Sequence, residues 1–208
     1  MAGKTWGYLF MDDWNKLLPI ELKGASVKLI PLNLSHAEDL KEAVADGRLN
    51  NLWYTNIPDE GGVETEIERR LKLEKLGSMA PFSVVELKRD KAVGMTTFMN
   101  MDPINRRVEI GSTWYRGDVQ RTSINTESKL LLMGYAFEKL NCIAVEFRTH
   151  FINRQSRRAI ERLGAKLDGI LRSHMIIANG TIRDTVVYSV IRSDWEAVKA
   201  NLKWMLKR

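Results

Sequence analysis

The spacing of hydrophobic positions along the chain switches repeatedly between two, the period of a strand, and about 3.6, the period of a helix. Val27–Leu32 reads as a strand. Ser35-His36-Ala37-Glu38 then has the form of a capping box, in which Ser and Glu side chains satisfy free backbone N–H groups, so a helix runs on to about Asp46. Val63, Ile67 and Leu71 recur every four residues and predict a second helix over 63–76, closed by Gly77. Phe82–Leu87 and Ala92–Phe98 flank the polar turn Lys88-Arg89-Asp90-Lys91 and form a hairpin.

The second half of the chain continues the alternation. Val108, Ile110, Ser112 and Trp114 alternate with Glu109, Gly111, Thr113 and Tyr115, giving a strand with two differently used faces. A polar turn from Arg116 to Ser123 follows, and Leu130, Met133, Phe137 and Leu140 then mark an amphipathic helix beginning near Asn125. Ile143, Val145 and Phe147 form a strand; Asn153 caps a helix that runs to Leu163, and Gly164 supplies a left-handed stop. Residues 170–178 and 181–191 are joined by Asn179-Gly180, a tight hairpin signal. Ser193-Asp194-Trp195-Glu196 is a second capping box, opening a helix with Trp195, Val198, Leu202 and Met205 on one side. The order β-α-α-β-β-β-α-β-α-β-β-α predicts an α/β (α+β) domain with a mixed sheet flanked by helices. Residues 1–24, with Trp6, Phe10 and Trp14 among polar residues, read as an extension lying against that domain or against a second subunit, and 25–208 as the domain itself.

Length and composition agree with this organisation. With 208 residues, 44% of them hydrophobic, the chain suits one domain with a short extension. No apolar run approaches the roughly 20 residues of a membrane span, and no charged-then-apolar leader opens the sequence, so a soluble cytoplasmic protein is expected. The single cysteine, Cys142, excludes an internal disulfide and a multi-cysteine metal site. It opens an apolar strand with no histidine nearby in sequence, so it reads as a core thiol rather than an acyl-carrying nucleophile. His36, His150 and His174 are too scattered for metal-ligand spacing, and no metal is expected.

Charge changes the picture more. The net charge is +6, but residues 1–100 carry 13 Lys and Arg against 15 Asp and Glu, whereas residues 101–208 carry 19 against 11. The basic half suits an anionic partner, a polyphosphate coenzyme or a nucleic acid, with a plain solvated surface as the alternative. The aromatics are not interleaved with arginines as a base-stacking platform would require, which speaks against nucleic acid. A loop feeding a helix from a strand end, as in Arg116–Ile124, exposes unpaired N–H groups at the positive end of the helix dipole and is a natural diphosphate cradle.

The residues of that loop carry a resemblance. Gln120-Arg121-Thr122-Ser123-Ile124-Asn125 resembles the diphosphate-binding motif Gln/Arg-x-x-Gly-x-Gly/Ala of the GNAT superfamily of N-acetyltransferases. Glu109-Ile110-Gly111 on the preceding strand, Asn153-Arg154-Gln155-Ser156, and Arg158-Ala159-Ile160-Glu161-Arg162-Leu163-Gly164-Ala165 extend it toward the Rim-type branch, which acetylates ribosomal protein N-termini. The resemblance covers about residues 22–205 and implies a GNAT fold with a mostly antiparallel sheet of about seven strands. Ser123 and Asn125 stand where the motif has glycines, so hydroxyl or amide donors would serve in place of close backbone approach.

The resemblance implies acetyl-CoA as co-substrate and direct transfer to a primary amine, a protein N-terminus or a small amine, through a ternary complex. Such chemistry needs a neutral amine, a stabilised oxyanion and a protonated thiolate leaving group. Glu109 is the candidate base and Ser156 the candidate acid. The oxyanion would meet a backbone N–H around Ser112–Trp114, and Gln120, Arg121, Thr122, Ser123, Ile124, Asn125 and Thr126 would hold the diphosphate. Asn153 would bond the pantetheine arm. Arg157, with Arg121, Arg154 and Arg158, would reach phosphate oxygens. Trp53, Tyr54, Glu60 and His174 are candidate acceptor-pocket members. A non-catalytic acetyl-CoA sensor or a basic ribosome- or RNA-docking module is the alternative, and homodimerisation stays open.

Overall fold

The computed structural model describes residue 14, residues 17–47 and residues 49–208. The expected mixed α/β layering is present, and the described residues form one sheet of eight strands, close to the seven expected. In chain order these are β1 (Leu22–Lys23), β2 (Val27–Pro31), β3 (Met79–Glu86), β4 (Lys91–Asp102), β5 (Arg107–Tyr115), β6 (Ala144–His150), β7 (Lys166–Ile176) and β8 (Ile182–Ile191). They lie in the order β1-β2-β3-β4-β5-β6-β8-β7, antiparallel throughout except for the parallel pair β5–β6. The additional strand is the two-residue β1, too short to carry a period of its own. Among the described residues five helices flank the sheet: α1 (Ala37–Ala45), α2 (Val63–Lys75), α3 (Ser123–Glu138), α4 (Arg154–Arg162) and α5 (Trp195–Met205).

Each face of the sheet buries its own core. Helices α1 and α2 cover one face, where Leu40, Val44, Val63 and Ile67 meet Val85, Met95 and Trp114. Helices α3, α4 and α5 cover the other, where Leu132, Met133, Phe137, Ile160 and Leu202 meet Val108, Ile110, Val145 and Phe147. Trp14 enters this second core and donates its indole N–H to the Leu140 carbonyl at 3.1 Å. Trp6 and Phe10 lie outside the described residues. Among the described residues no helix is long and apolar enough to cross a membrane.

Both capping boxes resolve differently from the sequence reading. The first belongs to Asn33 and His36: Asn33 Oδ1 accepts the Ser35 N–H at 2.9 Å, and His36 Nδ1 accepts the Asn33 N–H at 3.1 Å. A short 3-10 turn, Leu34–His36, therefore precedes α1. A similar turn, Arg192–Asp194, leads into α5, which begins without a side-chain cap. In both cases the 3-10 turn takes up free N–H groups that the box would otherwise satisfy. The β7–β8 connection is also looser than a two-residue turn. It spans 177–181, closed by Ile177 N–H to Thr181 O at 3.0 Å, with Gly180 at φ 81°. Gly164 at φ 97° ends α4 in the left-handed conformation that glycine adopts freely.

Candidate functional site

The site arises from one interrupted ladder. Strands β5 and β6 pair only over Arg107–Glu109 and Ala144–Glu146. Beyond that point β5 stays with β4 as far as Gly94–Tyr115, and β6 stays with β8 as far as His150–Thr185. A cleft therefore opens between Ile110–Tyr115 and Phe147–His150, and among the described residues the edge of β5 turned toward it has no strand partner. Backbone polar groups so exposed are available to a ligand.

Within the cleft wall β5 carries a bulge. Met95 pairs with Trp114 and Thr97 with Gly111, so the single residue Thr96 stands opposite both Ser112 and Thr113. Ser112 adopts φ 48°, the left-handed region, and its side chain is exposed. The extra residue inverts the facing of everything after it. The simple alternation placed Trp114 on the same face as Val108 and Ile110, but Trp114 lies in the α1–α2 core and Tyr115 joins the α3 core. For a cofactor role this leaves Trp114 only its backbone, because its indole is buried. Gly94 makes the bulge feasible, since a Cβ there would sit 2.1 Å from the Trp114 carbonyl oxygen.

Helix α3 starts beside the end of β5. It begins at Ser123, two residues earlier than its apolar stripe suggests, and Thr122 is the cap, its Oγ1 accepting the Ile124 N–H at 3.3 Å. Arg121, at φ 64°, turns the chain into the helix, and Arg121, Thr122 and Ser123 are exposed. The left-handed residue is thus Arg121, whereas Ser123 and Asn125 lie within the helix, where no positive φ demands glycine. Gln120 is held in place by its Nε2 donating to the Tyr115 carbonyl at 3.1 Å. Two of the sequence-assigned residues face elsewhere. Ile124 is buried in the α3 core and offers only backbone, and Thr126 is buried and accepts from Arg162 Nη2 at 3.0 Å. A shallow pocket of about 440 Å³ adjoins the helix front, lined by Ala25, Ser26, Glu86, Leu87, Lys88 and residues 122–124; it shares no residue with the β5–β6 cleft.

Across the cleft, Asn153 caps α4 by accepting the Ser156 N–H on its Oδ1 at 3.0 Å, which leaves Ser156 half-buried in the first turn. Arg157 has partners within the fold: its Nε donates to the Tyr188 hydroxyl at 3.0 Å and its guanidinium stacks over Phe151. Arg121, Arg154 and Arg158 remain exposed.

Glu109 sits where the ladder parts, only 5% exposed. Burial raises its carboxyl above the ordinary range, opposed by Asn100, whose Nδ2 donates to Oε2 at 2.7 Å, and by Arg148 at 3.5 Å. Arg107, two residues before it on β5, pairs with Glu146 rather than with Glu109. Burial also works on Glu146, but Arg107 and Arg148 hold it below the usual carboxylate range.

Comparison with known proteins identifies this geometry. The family described as Acetyltransferase (GNAT) domain matches residues 26–166. The chain belongs to the GNAT acetyltransferase family. Its members are acetyl-CoA-dependent N-acetyltransferases. The Bacillus subtilis (strain 168) protein named Putative ribosomal N-acetyltransferase YdaF is 34% identical over 106 residues, a stretch that spans 51% of this chain and only 57% of that relative. A GCN5-related N-acetyltransferase from Brucella melitensis superposes with a TM-score of 0.81 at 32% identity, covering 90% of this chain and 85% of that one. Mycobacterium smegmatis RimJ in complex with CoA-disulfide shares the fold, with a TM-score of 0.75 at 16% identity over 90% of this chain and 95% of that one.

Other groups in this GNAT chain escaped the sequence reading. On β6 the polar residues Glu146, Arg148 and His150 alternate with Val145, Phe147 and Thr149, a period-two signal that marks one titratable face. His150 is 4% exposed, and burial, with Arg183 nearby, keeps its ring more neutral than usual. Trp53 and Tyr54 approach it edgewise at 5.6 and 6.1 Å between centroids. His174 Nδ1 lies 3.0 Å from Thr185 Oγ1, and Thr185 is the β8 partner of His150, so three of the four proposed acceptor residues converge there. Glu60 is exposed at the turn before α2. Cys142 is fully buried, and burial pushes its thiol up to about 12, which leaves no thiolate at neutral pH.

Proposed function

We propose that this protein, through residues 25–208, transfers the acetyl group of acetyl-CoA directly to a primary amine in a ternary complex, with a protein or peptide N-terminus as acceptor. The observation that carries this reading is the parting of β5 and β6 at Glu109, with the free start of α3 at the other end of the same strand. The amides of Thr122 and Ser123, together with Arg121 and the Ser123 hydroxyl, would hold the diphosphate at the positive end of the helix dipole. The β5 edge around Ser112–Trp114 supplies N–H groups for the carbonyl oxygen as it gains charge.

Glu109 accepts the proton of the acceptor ammonium, directly or through water, so that the neutral nitrogen attacks the thioester carbonyl and the carbon–sulfur bond breaks. A carboxylate whose affinity for protons is raised by burial is a stronger base than an exposed one. Ser156, in the first turn of α4, would return a proton to the departing thiolate. The acceptor would lie over the β6–β8 face, against His150, Trp53, Tyr54 and His174. The likeness to YdaF, with its ribosomal name, favours a polypeptide N-terminus.

Thiol release from acetyl-CoA in the presence of short peptides with free N-termini, the same peptides N-terminally blocked, and small alkylamines tests the reading. Release with free peptides alone is expected. Equal release with alkylamines removes the polypeptide assignment, and none with any amine removes the enzymatic one.

A further inference from the structure

Lys129 is a buried amine with no charged partner among the described residues. It lies in the second turn of α3, is 4% exposed, and crosses the core to the β5 bulge. Its Nζ donates to Thr96 Oγ1 at 2.9 Å and to Thr113 Oγ1 at 2.8 Å, and these two hydroxyls lie 2.8 Å from each other. Thr96 and Thr113 are the residues that the bulge sets opposite one another, and Thr113 follows the left-handed Ser112. Burial alone holds the amine down at about 7. An amine in this setting costs stability, and a Leu or Met would fill the space without that cost. Thr96 and Thr113 would still bond each other, so the fold itself does not need the lysine.

We infer that Lys129 is a positioning residue for acetyl transfer: it ties the Ser112–Thr113 bulge to α3, so that the β5 amides facing the thioester carbonyl keep a fixed distance from the helix front facing the diphosphate. One rigid helix then sets both ends of the coenzyme site, with Thr122–Ile124 at its start and Lys129 about two turns on. A non-glycine residue at positive φ is strained and persists only where its surroundings hold it. Here the holding group reaches Thr113 from the opposite side of the cleft wall. Displacement of a polar group by about 1 Å is enough to cost on the order of a hundredfold in rate. This inference rests on the coenzyme placement proposed above.

The test reads the carbonyl directly and needs no acceptor. Acetyl-CoA labelled with carbon-13 at the thioester carbonyl is bound to the wild type, Lys129→Met and Thr113→Val, and its C=O stretch is recorded by difference infrared spectroscopy, with coenzyme affinity measured by calorimetry. In the wild type the stretch should move to lower frequency on binding. Lys129→Met and Thr113→Val should each lose half or more of that shift, while the dissociation constant changes by less than about threefold. A carbonyl shift equal to wild type in both variants, or one lost only in step with coenzyme affinity, overturns the inference. Binding in the wild type without any carbonyl shift overturns it as well, yet leaves the coenzyme site standing; absence of wild-type binding overturns the coenzyme placement itself. Thr113→Val keeps the lysine and the side-chain volume, so the reading does not depend on one variant folding.

Discussion

The two faces of β5 each bury an ionisable group, and they treat it in opposite ways. On the face toward α1 and α2, Glu109 has a donor and cations about it, Asn100 at 2.7 Å, Arg148 at 3.5 Å and Arg183 on β8, with the Glu146 carboxylate opposing them. On the face toward α3, Lys129 meets two hydroxyls and, among the described residues, no counter-charge. Burial pushes both toward neutrality, the carboxylate up and the amine down. Only Glu109 is tuned by neighbours that favour its charged form against burial, as befits a residue that exchanges a proton. Lys129 has two hydroxyls as fixed partners, as befits a residue that holds geometry.

The largest effect that can break the comparison is on rate. Glu109→Gln keeps the shape and the Asn100 contact but removes the proton acceptor, so kcat should fall about a hundredfold or more, with coenzyme affinity unchanged. Steady-state thiol release and calorimetry measure the two together. Turnover within a fewfold of wild type across the pH range would return Glu109 to a plain buried carboxylate.

A smaller effect separates the faces through stability. Lys129 titrates at about 7 when folded against an ordinary 10.5, so between those values the unfolded chain binds a proton that the folded one does not. Stability should therefore rise with pH through this window, by up to about 1.4 kcal/mol per unit, and the burial penalty should be complete below it. Lys129→Met removes the group. Its gain in urea denaturation should be large at about pH 6 and nearly gone above about pH 10. A gain independent of pH would mean that packing alone changed.

The β1–β2 turn sharpens a third point, namely how the front of α3 is anchored. Glu127 accepts the backbone N–H groups of Ala25 and Ser26 at 2.6 and 2.8 Å, and also the Ser26 hydroxyl. Glu127→Ala leaves three donors short of a partner and should cost about 2 kcal/mol in denaturant unfolding. A weaker diphosphate grip should accompany it, seen as a raised KM for acetyl-CoA rather than a lower kcat.

These contrasts also explain what could be read from the chain. The order of elements was legible because Val108–Tyr115, Leu130–Leu140 and Asn153–Gly164 each carry local period and punctuation. The helix front was legible for the same reason: a strand, a polar turn and a helix are consecutive in sequence. What was not legible depends on chain segments far apart. Thr96 opposes two residues of β5 across a register shift, so Trp114 changes face although its own neighbourhood alternates perfectly. Lys129 looks like a solvated helix residue until the bulge it reaches is known. Arg157 and Thr126 carry the right chemistry for phosphate, but Tyr188 and Arg162 claim them from elements elsewhere in the chain.

Asn100 offers the finest test, because it acts on Glu109 without touching the reaction. It occupies φ 47° in a second β4–β5 irregularity, between the pairs Met99–Glu109 and Asp102–Arg107. Asn tolerates this conformation better than most residues, and here it delivers Nδ2 to Glu109 Oε2. That donation favours the charged carboxylate and so works against burial. Asn100→Ala removes it, and the Glu109 carboxyl should rise further. The base is then lost to protonation at a higher pH, so the acid limb of kcat/KM should shift upward by a fraction of a unit while the plateau on the alkaline side keeps its height. Arg148→Met should move the limb the same way, because it removes a nearby positive charge. A limb that moves to lower pH, or stays in place in both variants, would mean that the group titrating in the rate is not Glu109, and the division of labour between the two faces of β5 would fail at its more reactive side.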